Sequence, residues 1–339
     1  MTSIPATGDP LSDRSGTLDV EALLEAARQG DRRALARLLS AAERGGPDGR
    51  AAAALAYRHG TEADTVGITG APGAGKSTLT DRLITAARGA GVAQLAVLAI
   101  DPTSPFSGGA ILGDRVRMQG HDLDTGVFIR SMASRGHLGG LALAVPEAIR
   151  LFAAAGMPLV LVETVGVGQV EVEVASATDT TVVVVNPKWG DSIQANKAGL
   201  LETADIFVIN KADMPGAGQS RRDLEQMLDL STPGDWRPPI LETVSTTGEG
   251  VDALWAEIGR HRAFLVGAGL LEPSRRQRLR REFRLVLRAR IEVEIDRLAS
   301  QPLYGELDED VVEHRLDPYE AAEKLLAHVG DDSGRRAAN

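Results

Sequence analysis

The residues from Gly70 to Thr78 have the types and spacing needed to bind the phosphates of a nucleotide. They read Gly-Ala-Pro-Gly-Ala-Gly-Lys-Ser-Thr and complete the pattern G-x-x-x-x-G-K-[ST]. In this pattern backbone N–H groups surround a triphosphate, Lys76 meets the β- and γ-phosphates, and the Ser77 hydroxyl joins a Mg²⁺ shell. An apolar run at Thr65–Thr69 precedes the loop and helix-forming residues follow it, as the pattern requires. The predicted phosphate-binding residues are Gly70, Ala71, Pro72, Gly73, Ala74, Gly75, Lys76, Ser77 and Thr78.

The tetrapeptide Asn210-Lys211-Ala212-Asp213 predicts that the base is guanine. It directly follows an apolar run that is typical of a buried strand. The Asp213 carboxylate of such a motif accepts from N1–H and the exocyclic amine of guanine, which adenine does not offer together. The Lys211 stem packs over the ring, and Asn210 helps to hold the neighbouring loops. GTP and GDP, rather than adenine nucleotides, are therefore the predicted ligands.

A second base-contacting segment is predicted one strand later. Ser245 and Thr246 follow the apolar run that starts at Ile240, so both lie where that strand should end. The carboxyl ends of parallel strands meet at one edge of a sheet, where ligands bind. We therefore expect these two residues to lie beside the Asn210–Asp213 motif.

Glu163 and Gly166 are predicted to lie beside the γ-phosphate. They begin and end the segment Glu163-Thr164-Val165-Gly166, which follows another apolar run. The carboxylate can hold Mg²⁺ directly or through water, and the Gly166 N–H can reach the γ-phosphate. The next residue is Val167, whereas Ras-like enzymes have a glutamine there that orients water. We therefore expect slow hydrolysis without a partner.

Asp101 and Asp114 are two further carboxylates that follow the apolar run Leu95–Ile100. The Gly-, Ser- and Pro-rich loop between them is suited to rearranging when a γ-phosphate is present. Both carboxylates are candidates to reach the metal or its waters. The predicted metal ligands are Ser77, Asp101, Asp114 and Glu163, and the predicted catalytic residues are Lys76, Asp114, Glu163 and Gly166.

Seven short runs rich in β-branched residues alternate with helical stretches in the middle of the chain, which predicts an α/β fold with a mainly parallel sheet. Several are continuous apolar segments, as expected for strands buried on both faces. We predict a three-layer P-loop NTPase sandwich over residues 61–262. The predicted strands are Val66–Thr69, Leu95–Ile100, Gly126–Arg130, Pro158–Glu163, Thr180–Asn186, Asp205–Asn210 and Ile240–Ser245.

The flanking regions are predicted to be a disordered tail at 1–16, a helical segment at 17–60 and a helical arm at 263–339. In the first helical segment, Asp31 is the expected N-cap of the second helix. The arm combines an apolar stripe, a run of arginines and then an acidic stretch. We predict that it is a dimerisation arm in which basic and acidic stretches face each other across a two-fold axis.

Composition excludes several other classes. The 339 residues are 43% apolar, contain no cysteine and carry a net charge of −10. The acidic balance argues against a nucleic-acid partner, and no apolar run has the roughly 20 residues that span a bilayer. The N-terminus has no signal-peptide pattern. We expect a soluble, cytoplasmic protein with neither nucleic-acid nor membrane partners.

Taken together, these motifs resemble the GTPases associated with methylmalonyl-CoA mutase, the MeaB/ArgK family, whose human counterpart is the methylmalonic aciduria type A protein. The resemblance covers nearly all of residues 61–262. The stretches that carry it are Asp101–Met118, Arg130–Gly140, Glu163–Gln169, Gly190–Lys197 and Asn210–Asp213.

The resemblance implies a homodimeric P-loop GTPase that attends an adenosylcobalamin-dependent acyl-CoA mutase. Such a protein gates cobalamin loading and protects or rescues the mutase, with GTP binding and hydrolysis as the signal. It further implies that 190–197 is a mobile loop that conveys the nucleotide state to the mutase. The predicted signalling residues are Asp191, Gln194 and Lys197.

Three other interpretations remain open at this level. A metallochaperone GTPase for nickel or cobalt insertion would share the phosphate loop, but this chain has no cysteine and its six histidines are scattered. An ATPase or kinase of basic amino-acid transport would need adenine specificity. The arginine-rich helix from Arg275 to Arg297 could instead bind RNA or an acidic membrane.

Overall fold

A computed structural model describes residues 18–59, 62–101, 119–121, 123–133, 140–164, 174–187, 203–230 and 234–337. Within these residues seven strands form one sheet in the order β3-β2-β4-β1-β5-β6-β7, and every neighbouring pair is parallel. The strands are β1 Asp64–Gly70, β2 Leu95–Asp101, β3 Val127–Ala133, β4 Leu159–Thr164, β5 Thr180–Val185, β6 Ile206–Asn210 and β7 Ile240–Thr243.

In the middle of the described chain, helices alternate with these strands. Before β1 and after β7 the described chain forms helices only. None of them combines the length and apolar character needed to cross a membrane. Their bounds are α1 Val20–Arg28, α2 Arg32–Arg44, α3 Gly46–Arg58, α4 Lys76–Gly89, α5 Gly140–Ala154, α6 Ala217–Leu230, α7 Val251–Gly267, α8 Leu271–Ala299, α9 Pro302–Val312 and α10 Pro318–Ala337, with a 3₁₀ turn at Gln119–His121.

The sheet is covered on both faces, because successive side chains of each strand point to opposite sides. In β2, Ala96 and Leu98 belong to a core shared with α1, α2, α3 and α5. Their neighbours Leu95 and Val97 belong to a second core shared with α4 and α7. This double burial explains the continuous apolar strands, and it confirms the predicted three-layer α/β fold. The dimerisation role of the C-terminal arm stays a prediction.

The N-terminal helices pack on one face of the sheet. Asp31 caps α2 as expected, since its carboxylate accepts from the N–H groups of Arg33 at 2.8 Å and Ala34 at 3.1 Å. Arg28 donates to the Ala154 carbonyl at the end of α5, and Arg32 donates to Val127 O at the start of β3. These bonds hold the helical segment against the sheet.

The chain divides into two compact units, and the boundary falls within α8, between Leu279 and Arg280. The first unit contains the sheet, and its part of α8 is bound by a buried carboxylate. Burial opposes ionisation of Asp179, but hydrogen bonds and charges from Arg275 and Arg278 outweigh it and lower its pKa. Arg275 Nη2 donates to Asp179 Oδ2 at 2.7 Å. The second unit contains the rest of α8 together with α9 and α10.

A second carboxylate, that of the half-buried residue Asp205, precedes β6 at the amino edge of the sheet. It accepts from the Thr181 N–H at 2.7 Å, and its other oxygen lies 3.4 Å from His261 Nε2. Burial raises the pKa of Asp205 to about 7 and lowers the pKa of His261 to about 4. His261 is therefore neutral near pH 7, with Nδ1 placed 2.9 Å from the Thr180 hydroxyl.

We expect Asp205→Asn to stabilise the protein at alkaline pH. Because the folded-state pKa lies above the ordinary value of 3.8, the folded protein keeps a proton that the unfolded chain releases, and stability falls as pH rises towards about 7. Asparagine can keep both contacts without placing a charge in this half-buried position. Urea unfolding should show the variant more stable than wild type by about 1–2 kcal/mol near pH 8.5, and by less near pH 5.5. Equal stability near pH 8.5 would contradict this account of Asp205.

Candidate nucleotide site

The phosphate loop connects β1 to α4 through backbone conformations that suit glycine. Gly70 and Gly75 have φ angles of +130° and +90°. A Cβ at Gly70 would overlap the Val184 carbonyl of β5, and one at Gly75 would overlap the side-chain nitrogen of Asn210. The glycines of the motif therefore permit a close approach of backbone on two sides, as well as positive φ angles.

Lys76 begins α4 and its ammonium folds back over the loop. Its Nζ donates to Gly70 O at 2.7 Å and to Ala71 O at 3.1 Å. The residue is only 6% exposed. The ammonium thus lies inside the loop at the N-terminus of a helix, where the N–H groups and the macrodipole both favour an anion.

Ser77 and Glu163 form the contact that joins α4 to the end of β4. The Ser77 hydroxyl donates to Glu163 Oε1 at 2.5 Å, and both residues are buried. Strand register explains why Ser77 and Glu163 are close. Glu163 pairs with Ile68 of β1 on one side and Ala99 of β2 on the other, and β1 leads through the phosphate loop into α4. A hydroxyl and a carboxylate at one point are the oxygen donors that Mg²⁺ prefers, so the residues present fit this ion.

The other residues predicted near the metal and γ-phosphate are only partly described. Asp101 ends β2 and pairs with Ala133 of β3, one residue after the pairing of Ile100 with Thr164, so its backbone lies at the same edge of the sheet as Glu163. Its side chain is not described. The other predicted residues of this group lie outside the described residues and stay predictions, namely Asp114, Gly166, Asp191, Gln194 and Lys197.

Asn210 connects the phosphate loop to the loops after β6 and β7, which are the two loops predicted to contact the base and are called the base-side loops. Its side chain donates to the Ala74 carbonyl at 2.7 Å. Its Oδ1 accepts from the N–H of Ser245 at 3.2 Å, from the Ser245 hydroxyl at 2.7 Å and from the Thr243 hydroxyl at 3.1 Å. Asn210 is 1% exposed, so these bonds are shielded from water. One carboxamide therefore fixes three segments relative to one another.

Lys211 and Asp213 follow at the surface. Lys211 adopts a φ of +60°, which is uncommon for a residue with a Cβ, and its Nζ donates to Gly73 O at 2.8 Å. The lysine side chain therefore bridges the Asn210–Asp213 motif and the phosphate loop. Asp213 lies in the next turn with its side chain exposed to solvent. Its contact with a base stays a prediction.

Sequence reasoning missed three polar residues that support this site. Thr243 binds Asn210, and the hydroxyl of Thr164 donates to that of Thr69 at 3.1 Å between β4 and β1. All three are threonines in the last two residues of a strand. Polar β-branched residues at the carboxyl ends of apolar strands were a signal that could have identified them.

The geometry defines a P-loop nucleotide-binding protein of the α/β class. The sequence model described as "Methylmalonyl Co-A mutase-associated GTPase MeaB" matches residues 35–299. The chain therefore belongs to the MeaB family of GTPases.

Curated and solved relatives agree with this assignment. A protein of Pyrococcus abyssi named as a GTPase is 46% identical, with 91% of this chain and 97% of the relative covered. The mouse mitochondrial protein named methylmalonic aciduria type A homolog is 35% identical over 62% of this chain and 52% of its own length. A crystal structure described as an LAO/AO transport system kinase superposes with a TM-score of 0.67 at 27% identity, covering 92% of this chain and 97% of the other.

Proposed function

We propose that this protein binds and hydrolyses GTP as the chaperone of an adenosylcobalamin-dependent acyl-CoA mutase, with methylmalonyl-CoA mutase as the first candidate. In this role it gates cofactor loading in the cytoplasm and protects or reactivates the mutase. The main support is the Asn210 carboxamide, which joins a phosphate loop to two base-side loops in a chain of the MeaB family.

The chemistry proposed for hydrolysis is positioning and charge neutralisation. Lys76 and the backbone N–H groups at the start of α4 bind the phosphates and stabilise the charge that develops on them. Ser77 and Glu163 are the described residues that would hold Mg²⁺, which supplies further neutralisation when bound. Asp101, Asp114 and Gly166 are proposed to complete this side of the site.

Nucleotide state is proposed to reach the mutase through the loop that contains Asp191, Gln194 and Lys197. The proposal rests on the family resemblance of that loop. A mutase that reads the nucleotide state must bind one state more tightly than the other, because a ligand shifts an equilibrium only by its differential affinity.

Recovery of the partner from cell extract tests the mutase assignment. Immobilised protein would be loaded with GDP, with a non-hydrolysable GTP analogue or with no nucleotide, and bound proteins would be identified by mass spectrometry. We expect an acyl-CoA mutase to be recovered in an amount that depends on the nucleotide. Recovery of no such mutase under any loading would remove the partner assignment, although GTP binding would stand.

We propose that the protein is a homodimer and that the second unit forms the interface. Four exposed apolar side chains on its part of α8 recur every four residues and so share one face: Phe283, Leu287, Ile291 and Ile295. Contiguous apolar surface of this kind is typical of an interface.

The double substitution Leu287→Glu and Ile291→Glu should give monomers by light scattering. Leu230→Glu, at an exposed residue of α6, is the control and should leave the oligomeric state as in wild type, whereas an unchanged dimer in the double variant would contradict the proposal.

A further inference from the structure

Arg82 connects the helix of the phosphate loop to the predicted base-contacting segment. It lies on α4, six positions after Lys76, and its side chain is half-buried. Its Nε donates to Ser245 O at 3.1 Å, and its Nη2 donates to Thr246 O at 3.1 Å. One guanidinium therefore holds two successive backbone carbonyls, and neither the phosphate motif nor the Asn210–Asp213 motif includes this residue.

Other hydrogen bonds also fix the segment that contains Ser245 and Thr246. Asn210 accepts from the N–H and the hydroxyl of Ser245. The N–H groups of Thr247 and Gly248 both donate to Val244 O, at 3.0 and 2.9 Å, which closes the turn. Among the residues that the structure describes, none accepts from the N–H of Thr246. This N–H is thus the donor that the turn leaves available.

Arg82 contributes to the direction of that donor. The peptide between Ser245 and Thr246 is trans, so its carbonyl and its N–H point in opposite directions in one plane. When Arg82 draws the Ser245 carbonyl towards α4, the Thr246 N–H must point away from α4. A backbone donor fixed in this way suits the 6-oxo group of guanine and opposes the 6-amino group of adenine, which is itself a donor.

We propose that Arg82 is a positioning residue for base specificity, which acts by holding the Thr246 N–H towards the 6-oxo group of a purine. The inference rests on the proposed function, because it requires that the site binds guanine nucleotides. It also predicts which part of the nucleotide responds to a change at Arg82. The 6-oxo contact should weaken, while the phosphate contacts and the contacts to the exocyclic amine should persist.

The test is Arg82→Met, which keeps an aliphatic stem but removes both hydrogen bonds. Calorimetry on the full chain would measure binding of GDP, IDP, ADP and pyrophosphate. IDP carries the 6-oxo group but lacks the exocyclic amine, so GDP and IDP should weaken by the same factor, about tenfold. Pyrophosphate should bind as in wild type. Arg82→Lys, which keeps a donor near the carbonyls, should recover part of the loss.

Arg88→Met is the matched control on the same helix. Arg88 pairs with Asp124 at 2.8 Å and donates to the carbonyls of Val92 and Ala93, at the end of α4 away from the loop. Its loss should lower the melting temperature at least as much as Arg82→Met does. The ratio of GDP affinity to pyrophosphate affinity should remain that of wild type. A loss of stability alone therefore cannot produce the result expected for Arg82.

The outcomes separate this inference from the proposed function. If wild-type protein does not prefer GDP over ADP, both are wrong. If wild type prefers GDP, three results would each overturn the role of Arg82 alone. These are unchanged GDP affinity in Arg82→Met, an equal loss for GDP and pyrophosphate, and a loss for GDP that IDP does not share.

Discussion

Lys76→Met is expected to reduce the single-turnover rate of GTP hydrolysis by at least about 100-fold. The ammonium lies within the phosphate loop, 2.7 Å from Gly70 O and 3.1 Å from Ala71 O, and it is buried. Lys76 carries a preorganised positive charge, so its removal takes away stabilisation of the negative charge that develops in the transition state. The affinity for GTP should fall more than the affinity for GDP, because Lys76 is predicted to meet the β- and γ-phosphates together.

Rapid-quench measurement of phosphate release, with GTP and GDP affinities from calorimetry, checks this prediction. Lys324→Met is the matched control, because Lys324 is an exposed lysine on α10 that pairs only with Glu320 on its own helix among the described residues. The control should hydrolyse GTP at the wild-type rate. A Lys76→Met variant that retains more than about a tenth of the wild-type rate would contradict the assigned role of this ammonium.

Asp213→Asn is expected to weaken GDP binding by at least about 100-fold and to strengthen binding of xanthosine diphosphate. A carboxylate accepts from N1–H and the exocyclic amine of guanine, whereas a carboxamide can donate to the 2-oxo group that xanthine has in place of that amine. Asp213 is exposed in a turn that follows the buried strand β6, and Lys211 ties this turn to the phosphate loop. The substitution should therefore change the base preference with little effect on folding.

Calorimetric titration with GDP, XDP and ADP tests the exchange of preference. Asp235→Asn, at another exposed aspartate, is the control and should leave all three affinities as in wild type. The same titration of wild type addresses the transport-kinase interpretation, since an ATP-dependent kinase should bind ADP at least as tightly as GDP. Unchanged GDP affinity in Asp213→Asn would show that Asp213 does not recognise the base.

Features that depend on residues close together in the sequence were predictable from it. The phosphate loop is contiguous, and its glycines and lysine occupy fixed positions after a strand. The seven apolar runs were long enough to identify every strand of the described sheet, although the ends moved by up to three residues, as for the run at Gly126–Arg130 that became Val127–Ala133. The end of a strand is set by hydrogen bonds to neighbouring strands, and a local pattern does not contain those bonds.

What only the tertiary structure decided is which distant residues meet. Ser77 and Glu163 are 86 positions apart, yet the pairing of β4 with β1 brings their oxygens to 2.5 Å. Asn210 meets Ala74 across 136 positions, and Arg82 meets Ser245 across 163. The sequence by itself determined a P-loop nucleotide fold with a guanine motif, because those signals lie in short segments. The connections between the segments follow from strand order and register, which arise only when both faces of the sheet are buried at once.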